Sequence, residues 1–264
     1  GAIPGIGEDL TIWIKGDYVI SGATLNRFFA LHVIALPLVL VILVFLHILA
    51  LHEVGSNNPD GSDIKKPKGS MKPEELSKFT FHEQYTKKYD IVDAIPFHPY
   101  YTVKDLVAVV IFLILFSWVM FFFPEGGGYF LEPPNFTPAN GLKTPEHIAP
   151  VWYFGPFYTV LRVIPDKLLG MIAMFAAIGM LFALPWFDRG VVRSFRYRSK
   201  LHLLNLTQFA ICFVALGVLG TMPASDLANL IGRLATLGYF GFFVFLWFYS
   251  KGEKTKPVPE RVTG

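Results

Sequence analysis

Charge is what this chain has least of. Only 16% of its 264 residues are Asp, Glu, Lys or Arg, against 53% hydrophobic and 16% aromatic, with 26 phenylalanines. Soluble globular chains carry about 25% charged residues, so there is too little polar surface here to cover a water-facing globule. A polytopic membrane protein follows. Cysteine is nearly absent: Cys212 stands alone in the apolar run Ile-Cys-Phe-Val, which excludes a disulfide framework and reads as a packing residue. The net charge of +3 is too modest for a nucleic-acid partner. Internal repeats and low-complexity tracts are missing as well. The chain also lacks an initiator Met and a basic leader, opening on Gly-Ala-Ile-Pro, and is expected to be processed, truncated or a start within a longer protein.

Five apolar runs are long enough to cross about 30 Å of hydrocarbon: residues 28–51, 106–123, 168–186, 203–220 and 227–249. Without a two-residue alternation, runs of this length are helices. The expected class is therefore all-α, a five-span transmembrane bundle with amphipathic loop helices on one side. Lys and Arg are unevenly divided between the two faces: seventeen fall after the first and third spans and in the C-terminal tail, and five on the other side. The richer side is assigned to the cytoplasm (or matrix) and the N-terminal segment to the positive side. Arg233 alone falls within a span, near enough to the start of the last one to reach the surface.

Ionisable residues inside spans are costly and mark function. The first span carries His32 and His47, 15 residues apart, or about 22 Å along a helix and about 60° around it. Pro37 between them lacks an N–H and is expected to bend the helix. Two imidazoles so far apart cannot share one metal ion. Spacing leaves two readings open: each gives one axial ligand to a separate cofactor, as imidazole does for haem iron, or each is a core histidine bonded to a neighbouring helix. A proton relay needs closer polar steps than the aliphatic stretch between them. His52 lies about 140° further round from His47; it reads as a proton donor to a polar ligand head or as a cation at a helix C-terminus.

The run TLNRFFALHVIALPLVLVILVFLHILALHEVGSNNP, ending at Pro59, resembles the fourth membrane helix of cytochrome b. That family is the haem-carrying, quinone-handling core of quinol:cytochrome c oxidoreductase, respiratory complex III. Further matches keep the family's order: IPFHPYYTVKD (95–105), PPNFTPAN (133–140), TPEHIAPVWYF (144–154), LRVIPDKLLG (161–170) and FRYRS (195–199). The likeness covers the whole chain and corresponds to the C-terminal two-thirds of a proteobacterial-type family member. It implies two b-type haems, with His32 and His47 as iron ligands and Arg27 near a haem propionate (a snorkelling interface cation is the alternative). It implies a quinone-reduction site of His52, Ser56, Lys104 and Asp105, and a quinol-oxidation site of Pro150, Val151, Trp152, Tyr153 and Tyr158. His52, Asp105, Tyr153 and Tyr158 carry the catalytic roles in that assignment. The implied partners are a Rieske iron–sulphur protein, a c-type cytochrome subunit, a second copy of the complex and membrane lipid. The implied membrane is the bacterial cytoplasmic one rather than the mitochondrial inner membrane. Electrons from quinol divide between the iron–sulphur partner and a path across the membrane to quinone, coupled to proton translocation.

Two departures stand out. The family's Pro-Glu-Trp-Tyr motif reads Pro150-Val151-Trp152-Tyr153, and valine can neither bind quinol by hydrogen bond nor accept its proton. Glu146 and His147 are candidate substitutes, or surface residues of a loop helix. The family also places the opposite haem ligands on an earlier helix. No further histidine here has the right depth, so either an N-terminal stretch is missing, the favoured expectation, or the earlier helices belong to a separate polypeptide. The organisation then reads as the end of a haem-binding domain (1–53), a connecting loop (54–103) and a C-terminal four-helix domain (104–264). Two other functions compete: a proton-coupled transporter, against which the odd span number and missing repeats argue, and a non-redox scaffold subunit. The Lys-rich stretch 65–88 reads as a solvated loop near lipid or other subunits, Tyr100 and Tyr101 as an interfacial aromatic belt, and Gly126-Gly127-Gly128 as a turn.

Overall fold

The computed structural model describes residues 1–56, 58–62, 65–67, 89–91, 97–128, 130–131, 133–144 and 148–262. Glu146, His147, and the stretch from Lys68 to Lys88 lie outside the described residues. Five helical stretches are long and apolar enough to span a bilayer: Gly22–Val54, Phe97–Phe122, Lys167–Phe187, Lys200–Thr221 and Asp226–Gly252. They coincide with the five expected runs and extend them by a few residues where polar caps and interfacial aromatics continue the helix. The only strands among the described residues are Lys65–Pro67 (β1) and Tyr89–Ile91 (β2), paired antiparallel with Lys66 opposite Asp90.

The chain divides into two compact units. The first holds residues 1–56, 132–190 and 200–252. It opens on helix α1 (Gly7–Lys15), then α2 (Gly22–Ala30), started by a capping box in which Ser21 and Thr24 each satisfy the other's backbone N–H. A π-helical turn (Leu31–Ala35) leads into α3 (Leu36–Val54). No residue of α3 is buried, whereas the later helices of the unit make a core.

That core comes from α5 (Gly155–Val163), α6 (Lys167–Phe187), α7 (Lys200–Thr221) and α8 (Asp226–Tyr249). Val160, Ala177, Leu216, Ala235, Tyr239, Phe242, Phe243 and Leu246 form its centre. Phe209 on α7 stacks against Phe242 at 4.5 Å and Tyr239 at 5.2 Å. Helices in lipid gain little from hydrophobicity and associate by close packing and interhelical hydrogen bonds. Both occur. Tyr239 Oη donates to the Ala177 carbonyl at 2.7 Å, Asn205 Nδ2 to the Phe242 carbonyl at 3.2 Å, and His202 Nδ1 lies 3.1 Å from Tyr249 Oη. Gly155 and Gly220 allow the closest approach: a Cβ on Gly220 would fall 2.4 Å from the Gly155 carbonyl oxygen.

The second unit holds residues 57–131, 191–199 and 253–264. Its long helix is α4 (Thr102–Phe122), followed by a turn in which Gly126, Gly127 and Gly128 all have positive φ. Elsewhere in the unit, three segments distant in sequence are tied by polar groups. The fully buried Asp60 accepts from Tyr197 Oη at 2.8 Å and pairs with Arg196 at 3.3 Å. Ser194 donates to the Pro59 carbonyl and Ser62 to that of Pro259. Arg198 grips Glu253 through Nε and Nη2 at 2.9 and 2.7 Å, while the Ser199 N–H donates to the other carboxylate oxygen at 2.7 Å. Burial would raise the Glu253 carboxyl, but the hydrogen bonds from Arg198 and Ser199 outweigh it and hold the group below its ordinary range.

Candidate functional site

His32 sits inside the π turn and His47 eleven residues beyond the start of α3. The Leu36 N–H reaches back to the Leu31 carbonyl, a five-residue step taken just before Pro37, which has no N–H to continue the regular ladder. Such a turn inserts in effect one residue and removes up to about 100° of accumulated rotation. The angle between the two rings therefore departs from the roughly 60° of a regular helix. Neither ring has a hydrogen bond or ion pair among the described residues, and both are exposed. Each imidazole thus keeps a nitrogen lone pair available, as an axial iron ligand requires. Each ring thus fits a haem iron as a single ligand, and among the described residues no group of three or more His, Cys, Asp or Glu could hold a metal ion.

Arg27 lies in the last turn of α2. Its guanidinium donates to the backbone carbonyls of Trp13 and Ile14 at the end of α1. It occupies the space a side chain on Gly16 would need; with the Thr24 hydroxyl bonded to the Lys15 carbonyl, it clamps α1 to α2.

His52 occupies the last turn of α3, which Gly55 closes at a positive φ of 77° with Ser56 next in line. Both belong to the first unit, Lys104 and Asp105 to the second. Asp105 lies in the first turn of α4. Lys104 Nζ stands 5.5 and 6.0 Å from the ring centroids of Tyr100 and Tyr101, and His98 Nδ1 is 3.2 Å from Thr102 Oγ1.

The Pro150–Tyr153 motif enters a 3₁₀ turn, Trp152–Phe154, closed by the Phe154 N–H to the Val151 carbonyl at 2.9 Å. It runs directly into α5, with Pro156 in the first turn where its missing N–H costs nothing. Trp152 is 60% and Tyr153 54% exposed, their rings edge to face at 5.6 Å. Tyr158 on α5 is half-buried. This is an aromatic surface with few charges, held on a rigid support.

That support is what the sequence did not disclose. Thr159 Oγ1 donates to the Leu216 carbonyl at 2.7 Å, and Arg162 donates through Nη1 and Nη2 to the Met222 and Leu219 carbonyls at 2.7 and 2.8 Å. Arg233 Nε donates to the Val163 carbonyl at 2.9 Å. In the sequence Arg162 is one positive-side charge among five, and Arg233 a lone charge within a span. An Arg four residues after a Tyr was the available signal.

Comparison with known proteins agrees with this layout. Residues 1–156 match the family model "Cytochrome b(N-terminal)/b6/petB" and residues 138–240 the model "Cytochrome b(C-terminal)/b6/petD". The chain belongs to the cytochrome b family. It is 53% identical to a cytochrome b of Allochromatium vinosum over 99% of this chain and 61% of that one. Against cytochrome b of Rickettsia prowazekii it is 42% identical, over 98% of this chain and 58% of the relative. A solved structure described as hyperthermophilic respiratory Complex III superposes with a TM-score of 0.74 at 36% identity, covering 93% of this chain and 56% of that chain. The chain thus spans about 60% of the length of these relatives. Family membership and the five apolar helices make it an integral membrane protein, and the family carries haem.

Proposed function

We propose that this chain forms the quinone-handling and haem-ligating part of a quinol:cytochrome c oxidoreductase in a bacterial cytoplasmic membrane. In this reading it works with a Rieske iron–sulphur protein and a c-type cytochrome, as a dimer of the complex. The observation that carries the reading is the pair of unbonded imidazoles on one aliphatic helix. His32 and His47 would each hold the iron of one b-type haem, near the positive and the cytoplasmic side respectively. Bound there, haem supplies single-electron transfer across the bilayer.

The remaining roles belong to the chain's own groups. Trp152, Tyr153 and Tyr158, with Pro150 and Val151, line an apolar slot that holds quinol and restricts water; a phenolic hydroxyl orients the quinol head. Val151 offers no acceptor, so the quinol proton leaves to another base. On the cytoplasmic side His52, with Ser56 in the same unit, is one proton donor to quinone, and Asp105, with Lys104 in the other unit, is a second.

The deciding experiment is a reduced-minus-oxidised optical spectrum of the native complex. Two b-type signals are expected, one lost in His32→Ala and the other in His47→Ala. A spectrum without haem, or one unaltered by both variants, rejects the proposal. Val151→Glu is expected to raise the quinol-oxidation rate and to change its pH profile in the carboxylate range. An unchanged rate and profile means that the proton already has an efficient exit elsewhere.

A further inference from the structure

We infer that Arg162 is a positioning residue for quinol oxidation, fixing the Tyr158 ring and, together with Thr159, the rotation of α5 that sets the Trp152–Tyr153 turn. The inference rests on the proposed quinol-oxidation site. Its geometry starts from the nine residues of α5. Taking Tyr158 as zero and about 100° per residue, the buried residues Gly155, Thr159, Val163, Pro156 and Val160 fall at about 60°, 100°, 140°, 160° and 200°. Arg162 falls at about 40°. One broad face of α5 is thus committed to α7 and α8, Tyr158 stands just off its rim, and Arg162 lies between.

Arg162 joins the two sides. Its fork meets the Leu219 and Met222 carbonyls at and just past the end of α7, where the helix C-terminus favours a cation; the Leu219 carbonyl also accepts the Met222 N–H at 3.2 Å. Its guanidinium carbon lies 5.7 Å from the centroid of Tyr158, within cation–π range. Its Nε is buried without a hydrogen-bond partner among the described residues, so the side chain is not arranged for hydrogen bonding alone. Thr159 adds a buried bond to Leu216 on the same helix, and the Gly155–Gly220 contact leaves no room to roll α5 inward. Rotation of α5 is therefore fixed at three points, and the presented side chains follow it. Lysine can meet one carbonyl but cannot span both while keeping a flat face to the tyrosine.

The test uses Arg162→Met, Arg162→Lys and Thr159→Val in the assembled complex, with Trp152→Ala and Tyr158→Leu as direct variants. Arg162→Met is expected to raise KM for quinol about tenfold with a smaller loss in kcat. Arg162→Lys should give an intermediate KM, and Thr159→Val a smaller rise. Haem absorbance and haem reduction from the opposite, quinone-reducing side stay at wild-type levels. The inference is overturned if Trp152→Ala and Tyr158→Leu impair quinol oxidation while the Arg162 and Thr159 variants leave KM unchanged. It is also overturned if Arg162→Met lowers haem content and both half-reactions equally, which marks a purely structural role. If Trp152→Ala and Tyr158→Leu have no effect, the quinol-oxidation assignment itself is wrong.

Discussion

Along α3 no side chain is buried, whereas α8, in the same unit, buries Tyr239, Phe242, Phe243 and Leu246 against its neighbours. The polar residues of the two regions differ in the same sense. In the bundle Thr159, Asn205, Thr236 and Tyr239 each donate to a backbone carbonyl, and His202 is paired with Tyr249. His32 in the π turn and His47 on α3 are bonded to nothing among the described residues. Polar groups at membrane depth require partners. The bundle supplies its own, and under the proposed function haem supplies those of His32 and His47. Burial and hydrogen bonding are then what should separate a structural histidine from a ligand histidine.

The largest expected effect follows from that separation. His32→Ala and His47→Ala should each abolish one b-type haem signal completely, while His202→Ala, equally a histidine on an apolar helix, should abolish neither. Loss of a haem band in His202→Ala breaks the comparison, because it makes the bundle histidine part of the cofactor site.

Next comes the core. Phe243 is fully buried and meets Phe187, Phe209, Tyr239 and Phe242 at centroid distances between 5.0 and 5.9 Å. Phe243→Ala removes these contacts and should cost about 3–5 kcal/mol, read as a lowered thermal midpoint of the solubilised protein. An unchanged midpoint means that the bundle does not hold itself together.

Much of this was legible beforehand. The five spans could be read because a hydrophobic run of about 20 residues has few other uses, and the two histidines because each interrupts such a run. Arg162, Thr159 and Arg233 could not be assigned, since their partners are backbone carbonyls of helices some sixty residues away and leave no trace in side-chain spacing. The clamp of Arg27 on α1 was hidden for the same reason. Asp60 carries no signal in the sequence beyond being one polar residue in a turn, although it is wholly buried.

A smaller effect tests the polar unit rather than the apolar one. The Glu253 carboxyl is held below its ordinary range, so it binds its proton less readily folded than unfolded. Its contribution is therefore complete above the ordinary glutamate value of about 4.3 and disappears as pH falls through the lowered one. Limited proteolysis of the C-terminal tail should be flat from about pH 5 to 8 and accelerate only below about pH 4. Glu253→Gln should be cleaved faster at neutral pH and lose most of that acid dependence. An acid response equal to that of the wild type would assign the loss to another carboxylate.

The smallest predicted change returns to the two regions through their helix caps. Ser225 Oγ accepts the Ala228 N–H at the start of α8, and Ser21 accepts the Ala23 N–H at the start of α2. Removing either hydroxyl costs about 1 kcal/mol, but the cost should register differently. The first turn of α8 continues into the cooperative core through Ala228, Gly232 and Ala235, so Ser225→Ala should lower the global thermal midpoint by a few degrees. The start of α2 has no buried residue and leans on the Thr24 and Arg27 bonds to α1. Ser21→Ala should therefore leave the midpoint unchanged and appear as faster amide exchange at residues 22–25. A global shift from Ser21→Ala equal to that from Ser225→Ala would show that the helix carrying the histidines belongs to the same cooperative unit as the bundle.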